Sequence, residues 1–317
     1  MAAEEEPSGR AVKPEPPTPD RQGIAMLGGR EVHYEYFGKG DREAVCLMNG
    51  LAMDCASWYS TLPALQGDYD VVLYDYFGQG RSTTRDEPCG IDELADSLAA
   101  VLDALGLEKI HTMGVSYGGF VAAEFSRLHS QRLFTQTLSG ILVRRSTCFR
   151  MYQDLSLRFY RGGPEAWSLY THYLYEKIWG QTALDRVFDP ILETLRARFE
   201  ERFGDKIFAL IRLTEAQDPF FDRIDADPGC WSRVRTPTLL LSGGTDRVIP
   251  LFMQQTVKEA FADVRQILMP GVGHMTYLED AAFFWSVQKA FMRAKRTDFA
   301  VPEAQAEKAA HPAPWLG

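Results

Sequence analysis

Ile110-His111-Thr112-Met113-Gly114-Val115-Ser116-Tyr117-Gly118-Gly119 is the stretch whose reading decides the fold. It opens as a short apolar run of strand character, passes through Gly-x-Ser-x-Gly, and continues into a helical pattern over residues 119–129. A strand turning this sharply into a helix has no room for side chains two residues to either side of the serine, and glycine stands at both places. Ser116 is then held above the end of a sheet, at a helix start whose free N–H groups favour a developing negative charge. The pentapeptide alone also fits a serine that merely caps a helix. Its surroundings decide between the two.

On both sides of this turn, strand and helix patterns alternate. Residues 31–37 alternate polar and apolar, as a half-exposed edge strand does. Residues 44–48 and 71–74 are short apolar runs ending in glycine-bearing loops, the pattern of buried parallel strands. Residues 91–107 carry Leu94, Leu98, Val101, Leu102 and Leu105 at helical spacing and stop near Gly106. Residues 134–143, 237–241 and 266–269 read as further strands. This order predicts an α/β fold with a mostly parallel sheet flanked by helices, which binds ligands beyond the carboxyl ends of its strands.

One segment breaks the rhythm. Residues 146–232 are helical in pattern, with 16 aromatics among 87 residues against 12% for the whole chain. We read them as an inserted helical cap that divides the core into 23–145 and 233–296. Most of these aromatics would pack the cap itself, and the rest would line an apolar pocket. Residues 1–22, with five prolines and Glu4-Glu5-Glu6, read as a disordered tail, and 297–317, rich in alanine and proline, as a loose one.

Composition narrows the function classes. The net charge of −9, without a basic stripe, argues against nucleic acid as a partner. No window approaches the roughly twenty apolar residues of a membrane span, and the acidic, proline-rich start is unlike a secretory signal. Cys46, Cys55, Cys89, Cys148 and Cys230 are odd in number, widely spaced and free of any Cys-x-x-Cys, which predicts no disulfide framework, no zinc site and a reducing cytoplasm.

A serine nucleophile needs a base, an orienting acid and an oxyanion hole. Asp246 stands just past the strand of residues 237–241, at the end of Ser242-Gly243-Gly244-Thr245-Asp246, and fits the acid. His274, in Met269-Pro270-Gly271-Val272-Gly273-His274 after the last strand, fits the base, with Met275 beside it facing substrate. Of the other histidines, only His172 in the cap could approach a substrate. For the oxyanion hole, the backbone N–H of Tyr117 follows the nucleophile directly. The loop Met48-Asn49-Gly50-Leu51 supplies the N–H of Leu51, with Gly50 letting the backbone come close; Asn49 reads either as an amide that braces the loop or as a further candidate for substrate contact. The chain order Ser116, Asp246, His274 is that of the α/β-hydrolase fold rather than of chymotrypsin or subtilisin.

Over about residues 23–296 the chain resembles the α/β-hydrolase superfamily. Asp75-Tyr76-Phe77-Gly78-Gln79-Gly80-Arg81-Ser82 is similar to its Asp-x-x-Gly-x-Gly-x-Ser loop, and Gly273-His274 followed by Leu278-Glu279 to its histidine loop and final helix. Most relatives carry His-Gly in the oxyanion loop. Here Asn49-Gly50, with Met48 to one side and Leu51-Ala52-Met53, Ala56, Ser57 and Trp58 to the other, is similar to the branch of 3-hydroxyacyl-ACP:CoA transacylases and hydroxyalkanoyloxyalkanoate synthases.

These readings lead to an expectation: a serine hydrolase that cleaves carboxylic esters of small molecules through an acyl-enzyme, using neither metal nor organic cofactor. An acyltransferase passing the acyl group to a thiol or hydroxyl would use the same residues. An aminopeptidase of the proline-iminopeptidase type would need cap carboxylates, for which Glu165, Glu176 and Glu215 are available, and a non-catalytic ligand sensor can also retain such a triad. A haloalkane dehalogenase is disfavoured, since its nucleophile should be a carboxylate.

Overall fold

The computed structural model describes residues 15–303, without the side chains of 186–193 and 195. Its centre is an eight-stranded sheet: β1 (Arg21–Leu27), β2 (Arg30–Phe37), β3 (Ala44–Met48), β4 (Asp70–Tyr74), β5 (Ile110–Val115), β6 (Leu133–Ser139), β7 (Thr238–Gly243) and β8 (Val264–Met269). The strand order is β1-β2-β4-β3-β5-β6-β7-β8, with β1 and β2 antiparallel and every pair from β4 to β8 parallel. Strands β3, β4, β5 and β7 are buried along their whole length, which explains the apolar runs of residues 44–48, 71–74 and 239–241 within them.

Two apolar clusters cover the two faces. On one side lie α1 (Ile91–Leu105), α2 (Tyr117–Leu128) and α8 (Leu251–Ala260). On the other lie a 3-10 stretch (Cys55–Ala64) and α10 (Ala281–Ala294), which follows the single turn α9 (Thr276–Glu279). Helix α1 ends at Gly106, whose φ of 73° closes the helix in the left-handed region that glycine adopts at little cost.

Two sequence expectations need correction at this end of the chain. Residues 31–37 are not an edge strand: β2 lies between β1 and β4, and six of its eight residues are buried. The true edge, β1, begins at Arg21, inside the segment read as a tail. Its signal was the two-residue Gly28-Gly29 link between strands, both glycines at positive φ, as tight hairpins require. At the other terminus residues 297–303 are not loose. Phe299 is buried against Phe291, with ring centroids 5.5 Å apart, and the Arg265 guanidinium lies 4.9 Å from its ring centroid. Residues 15–20 of the expected N-terminal tail form no strand or helix, and Asp20 accepts from Gly38 N–H (2.8 Å); residues 1–14 and 304–317 lie outside the described residues.

Between β6 and β7 the chain is helical throughout: α3 (Thr147–Arg161), α4 (Pro164–Ile178), α5 (Gln181–Phe203), α6 (Ile207–Glu215) and α7 (Gln217–Ala226). Tyr160, Tyr170, Phe203 and Leu210 form a cluster of their own, and Leu51 and Ala52, from the loop after β3, pack against it. These inserted helices therefore meet the loops at the carboxyl ends of the strands. Among the described residues no helix is long and apolar enough to cross a membrane.

Candidate active site

Ser116 joins β5 to α2 with φ 53° and ψ −120°, a backbone conformation that a non-glycine residue adopts only when its surroundings enforce it. The enforcement is visible. Its N–H donates to the Ser139 carbonyl at the end of β6 (2.8 Å), and its carbonyl accepts from Gly119 N–H (2.8 Å). A Cβ on Gly114 would fall on the Gly118 carbonyl, one on Gly118 on the Met48 carbonyl, and one on Gly119 on the Ile141 side chain. The glycines are thus needed for close backbone approach, and that approach sets the loop after β3 against the start of α2.

That loop makes a tight turn. Gly50 N–H points at Met53 Sδ (3.2 Å), Met53 N–H donates to the Gly50 carbonyl (3.3 Å), and Ala52 sits at φ 65°. Leu51 follows the close approach of Met48 and Asn49 to Gly118, and Tyr117 opens a helix whose first N–H groups have no intrahelical acceptor. The loop after β3 and the start of α2 are therefore packed backbone to backbone. Arg202 of α5 pins the turn by donating to the Ala52 carbonyl (3.1 Å) and pairing with Asp54 (3.3 Å).

Asn49, a candidate for substrate contact in the sequence, has another task. It is fully buried, its Nδ2 donates to the Tyr74 carbonyl (2.9 Å), and its Oδ1 accepts from Trp58 Nε1 (2.7 Å). Its amide braces the loop, and the side chain does not reach a substrate. Met275 is half-buried against the apolar cluster around α10, and its N–H, like that of His274, donates to the Ile178 carbonyl.

His274 and Asp246 are both buried and paired, Nδ1 to Oδ2 at 2.8 Å. Asp246 Oδ1 accepts from Val248 N–H and Ile249 N–H, both at 2.8 Å, and Oδ2 also accepts from Gln254 Nε2 (3.1 Å). So many donors hold the carboxylate in one orientation, and a carboxylate behind Nδ1 fixes the imidazole tautomer with its lone pair on Nε2. That Nε2 is buried and has no hydrogen-bond partner among the described residues. The ring lies on Gly140, the residue after Ser139, so it stands beside the strand end that fixes Ser116.

Three participants here were not found in the sequence. Gln254 lies one turn into α8, and no motif marks it. Glu279, quoted only as part of a motif, accepts from Gly180 N–H (3.0 Å) and Gly273 N–H (3.1 Å), and burial raises its pKa. Arg247, next to Asp246, donates to the carbonyls of Glu176 and Trp179. Together with Ile178, these ties bind the end of α4 to both the acid and the histidine loops.

The remaining candidates stand apart. His172 is exposed and turned to the Ser168 carbonyl of its own helix. Glu176 pairs with Arg247 and Lys177, Glu215 with Arg161 and Arg212, and Glu165 is exposed. Glu176 and Glu215 are thus already engaged by arginine or lysine, and Glu165 faces solvent.

Comparison with known proteins agrees with this geometry. A family model described as the alpha/beta hydrolase fold matches residues 43–281. RutD of Pseudomonas savastanoi pv. phaseolicola, named for a proposed carbamate hydrolase activity, is 29% identical over 262 residues, covering 80% of this chain and 95% of that protein. RutD of Stutzerimonas stutzeri is 29% identical over 264 residues, covering 80% and 93%. Among solved structures, the α/β-hydrolase enzyme MGS-M2 from a Medee basin deep-sea metagenome library superposes with a TM-score of 0.75 at 20% identity, over 86% of this chain and 97% of its own. A thermophilic esterase from Thermogutta terrifontis superposes with 0.71 at 23% identity, over 87% and 100%.

Proposed function

Because the chain belongs to the α/β-hydrolase fold family, we propose that it is a serine hydrolase cleaving carboxylic esters through an acyl-enzyme on Ser116. The observation that carries this reading is the buried, unpartnered Nε2 of His274, held by Asp246 and set beside the strained serine turn. A buried imidazole nitrogen without a partner costs free energy, and a substrate-side proton acceptor is the role that uses it.

On this reading the steps are those of a serine, histidine and aspartate acting in turn. His274 Nε2 takes the Ser116 hydroxyl proton as Oγ attacks the carbonyl carbon, and Asp246 stabilises the imidazolium. The N–H groups of Leu51 and Tyr117 receive the oxyanion; removing one such donor typically costs about 3 kcal/mol of transition-state stabilisation. His274 then protonates the leaving alcohol, and water activated by the same nitrogen releases the acid. Residues 146–232 serve as a cap over this site. Their cluster of Tyr160, Tyr170, Phe203 and Leu210, touching Leu51, favours an apolar acyl group.

A second reading has its own support. The RutD relatives, similar along four fifths of this chain, are named for carbamate hydrolysis, in which the same machinery would attack a carbamoyl carbon. Turnover of p-nitrophenyl esters of increasing acyl length, run beside p-nitrophenyl carbamate and with a thiol acceptor in parallel, separates the possibilities. Ester turnover that vanishes in Ser116→Ala supports the proposal, and preference for the carbamate moves it to the second reading. A burst released only by the thiol would make the chain an acyltransferase. Near-full ester turnover in Ser116→Ala would refute the mechanism.

A further inference from the structure

Behind the loop that carries Leu51, polar side chains from three separate elements are buried together. His33 and Glu35 stand two residues apart on β2 and so share one face of the strand. Cys55 opens the 3-10 stretch and Asp75 follows β4. None of the four is more than 5% exposed. One ligand atom each of His33, Cys55 and Asp75 lies within 4.8 Å of the other two.

Their surroundings are those of a metal-binding set. Asp75 is oriented by Cys55 N–H on Oδ1 and Arg81 N–H on Oδ2, both at 2.8 Å, bonds that leave each oxygen a further lone pair. Glu35 lies 3.4 Å from His33 Nε2, long for a hydrogen bond, and is itself held by Tyr59 Oη and the Arg81 guanidinium. A carboxylate behind one imidazole nitrogen leaves the other to carry the lone pair, the usual arrangement behind a metal-bound histidine. Of the two buried carboxylates only Glu35 pairs with a guanidinium, that of the half-exposed Arg81; among the described residues Asp75 accepts from the backbone N–H groups of Cys55 and Arg81, and a cation there would offset its charge. A polar cavity of about 410 Å³, lined also by Asp54, Tyr59 and Arg81, reaches Cys55 and Asp75 from solvent.

We infer that His33, Cys55 and Asp75 form a site for one divalent transition-metal cation, zinc by its nitrogen, sulfur and oxygen donors, with a fourth position open to water from the cavity. The ion would tie β2 to the start of β4's following loop and to the turn that ends the oxyanion loop. It is separate from Ser116, Asp246 and His274 and does not depend on the function proposed for them. Cysteine spacing argued against zinc in the sequence because the three ligands lie about twenty residues apart and meet only across the sheet.

Cobalt(II) added to chelator-treated full-length protein tests this. One equivalent should bind with a thiolate-to-metal charge-transfer band, zinc should displace it, and zinc should raise Tm. The band should disappear in Cys55→Ser and persist in Cys148→Ser, which removes the exposed thiol. Affinity should fall at least about tenfold in His33→Gln. Absence of the band in the wild type, or its loss in Cys148→Ser instead of Cys55→Ser, would overturn the inference. Should Cys55→Ser fail to fold, unchanged cobalt affinity in His33→Gln would overturn it equally.

Discussion

Gly140→Ala should separate catalytic geometry from stability. Gly140 has φ 61°, and a Cβ built there would lie 2.5 Å from Cε1 and 2.7 Å from Nδ1 of His274. Ordinary van der Waals contact begins near 3.4 Å, so the ring must retreat by about 1 Å. Displacing a reacting group by about 1 Å can cost roughly 10²-fold in rate, equivalent to about 2.7 kcal/mol of barrier. The left-handed backbone adds a separate cost of about 1–2 kcal/mol in stability. Gly106→Ala is the matched control: its φ is 73°, nothing lies within 4 Å of the added Cβ, and it caps α1 far from the site. Both variants should lose a few degrees of Tm, and only Gly140→Ala should lose about 10²-fold in kcat for an activated ester. Equal kcat in the two variants would refute the placement of His274 as the working base.

Other expectations follow from single contacts. Asn49→Ala leaves Trp58 Nε1 and the Tyr74 carbonyl buried without partners, so urea unfolding should show a loss of about 2–4 kcal/mol. Gln254→Leu removes one donor from Asp246 Oδ2 and should lower kcat about tenfold with little change in KM, the worth of one charge-assisted bond. Burial lowers the His111 pKa from 6.5 to about 4, so the unfolded chain binds this proton first. Stability from this group is therefore full above pH 6.5 and falls as pH drops toward 4, by about 3 kcal/mol at most. Urea midpoints across that window should show the loss, and His111→Gln should flatten it.

The fold was legible where pattern and burial coincide. Strands β3, β4 and β7 are covered on both faces and carry apolar runs, and the glycines around Ser116, at the end of β5, mark backbone contacts that no larger residue permits. Strand β1 was not, because Arg21-Gln22-Gly23 lies at an edge and is largely exposed, leaving no periodicity to read. At the site, Ser116, Asp246 and His274 follow strand ends in a fixed order, which a linear reading can find. Gln254, and the roles of Arg247 and Glu279, were invisible because they act on backbone groups and carboxylates brought near only by folding. Asn49 shows the opposite case: a distinctive residue at a suggestive place whose side chain is spent on holding the loop.

The central claim is that Ser116 is the nucleophile and His274 its base. A fluorophosphonate probe followed by peptide mass spectrometry tests it most directly, because the adduct reports the activated atom whatever the natural substrate. A single adduct should form, on Ser116, and at least about 10³-fold more slowly in His274→Ala. An adduct on another residue, or labelling of Ser116 at an unchanged rate in His274→Ala, would contradict it.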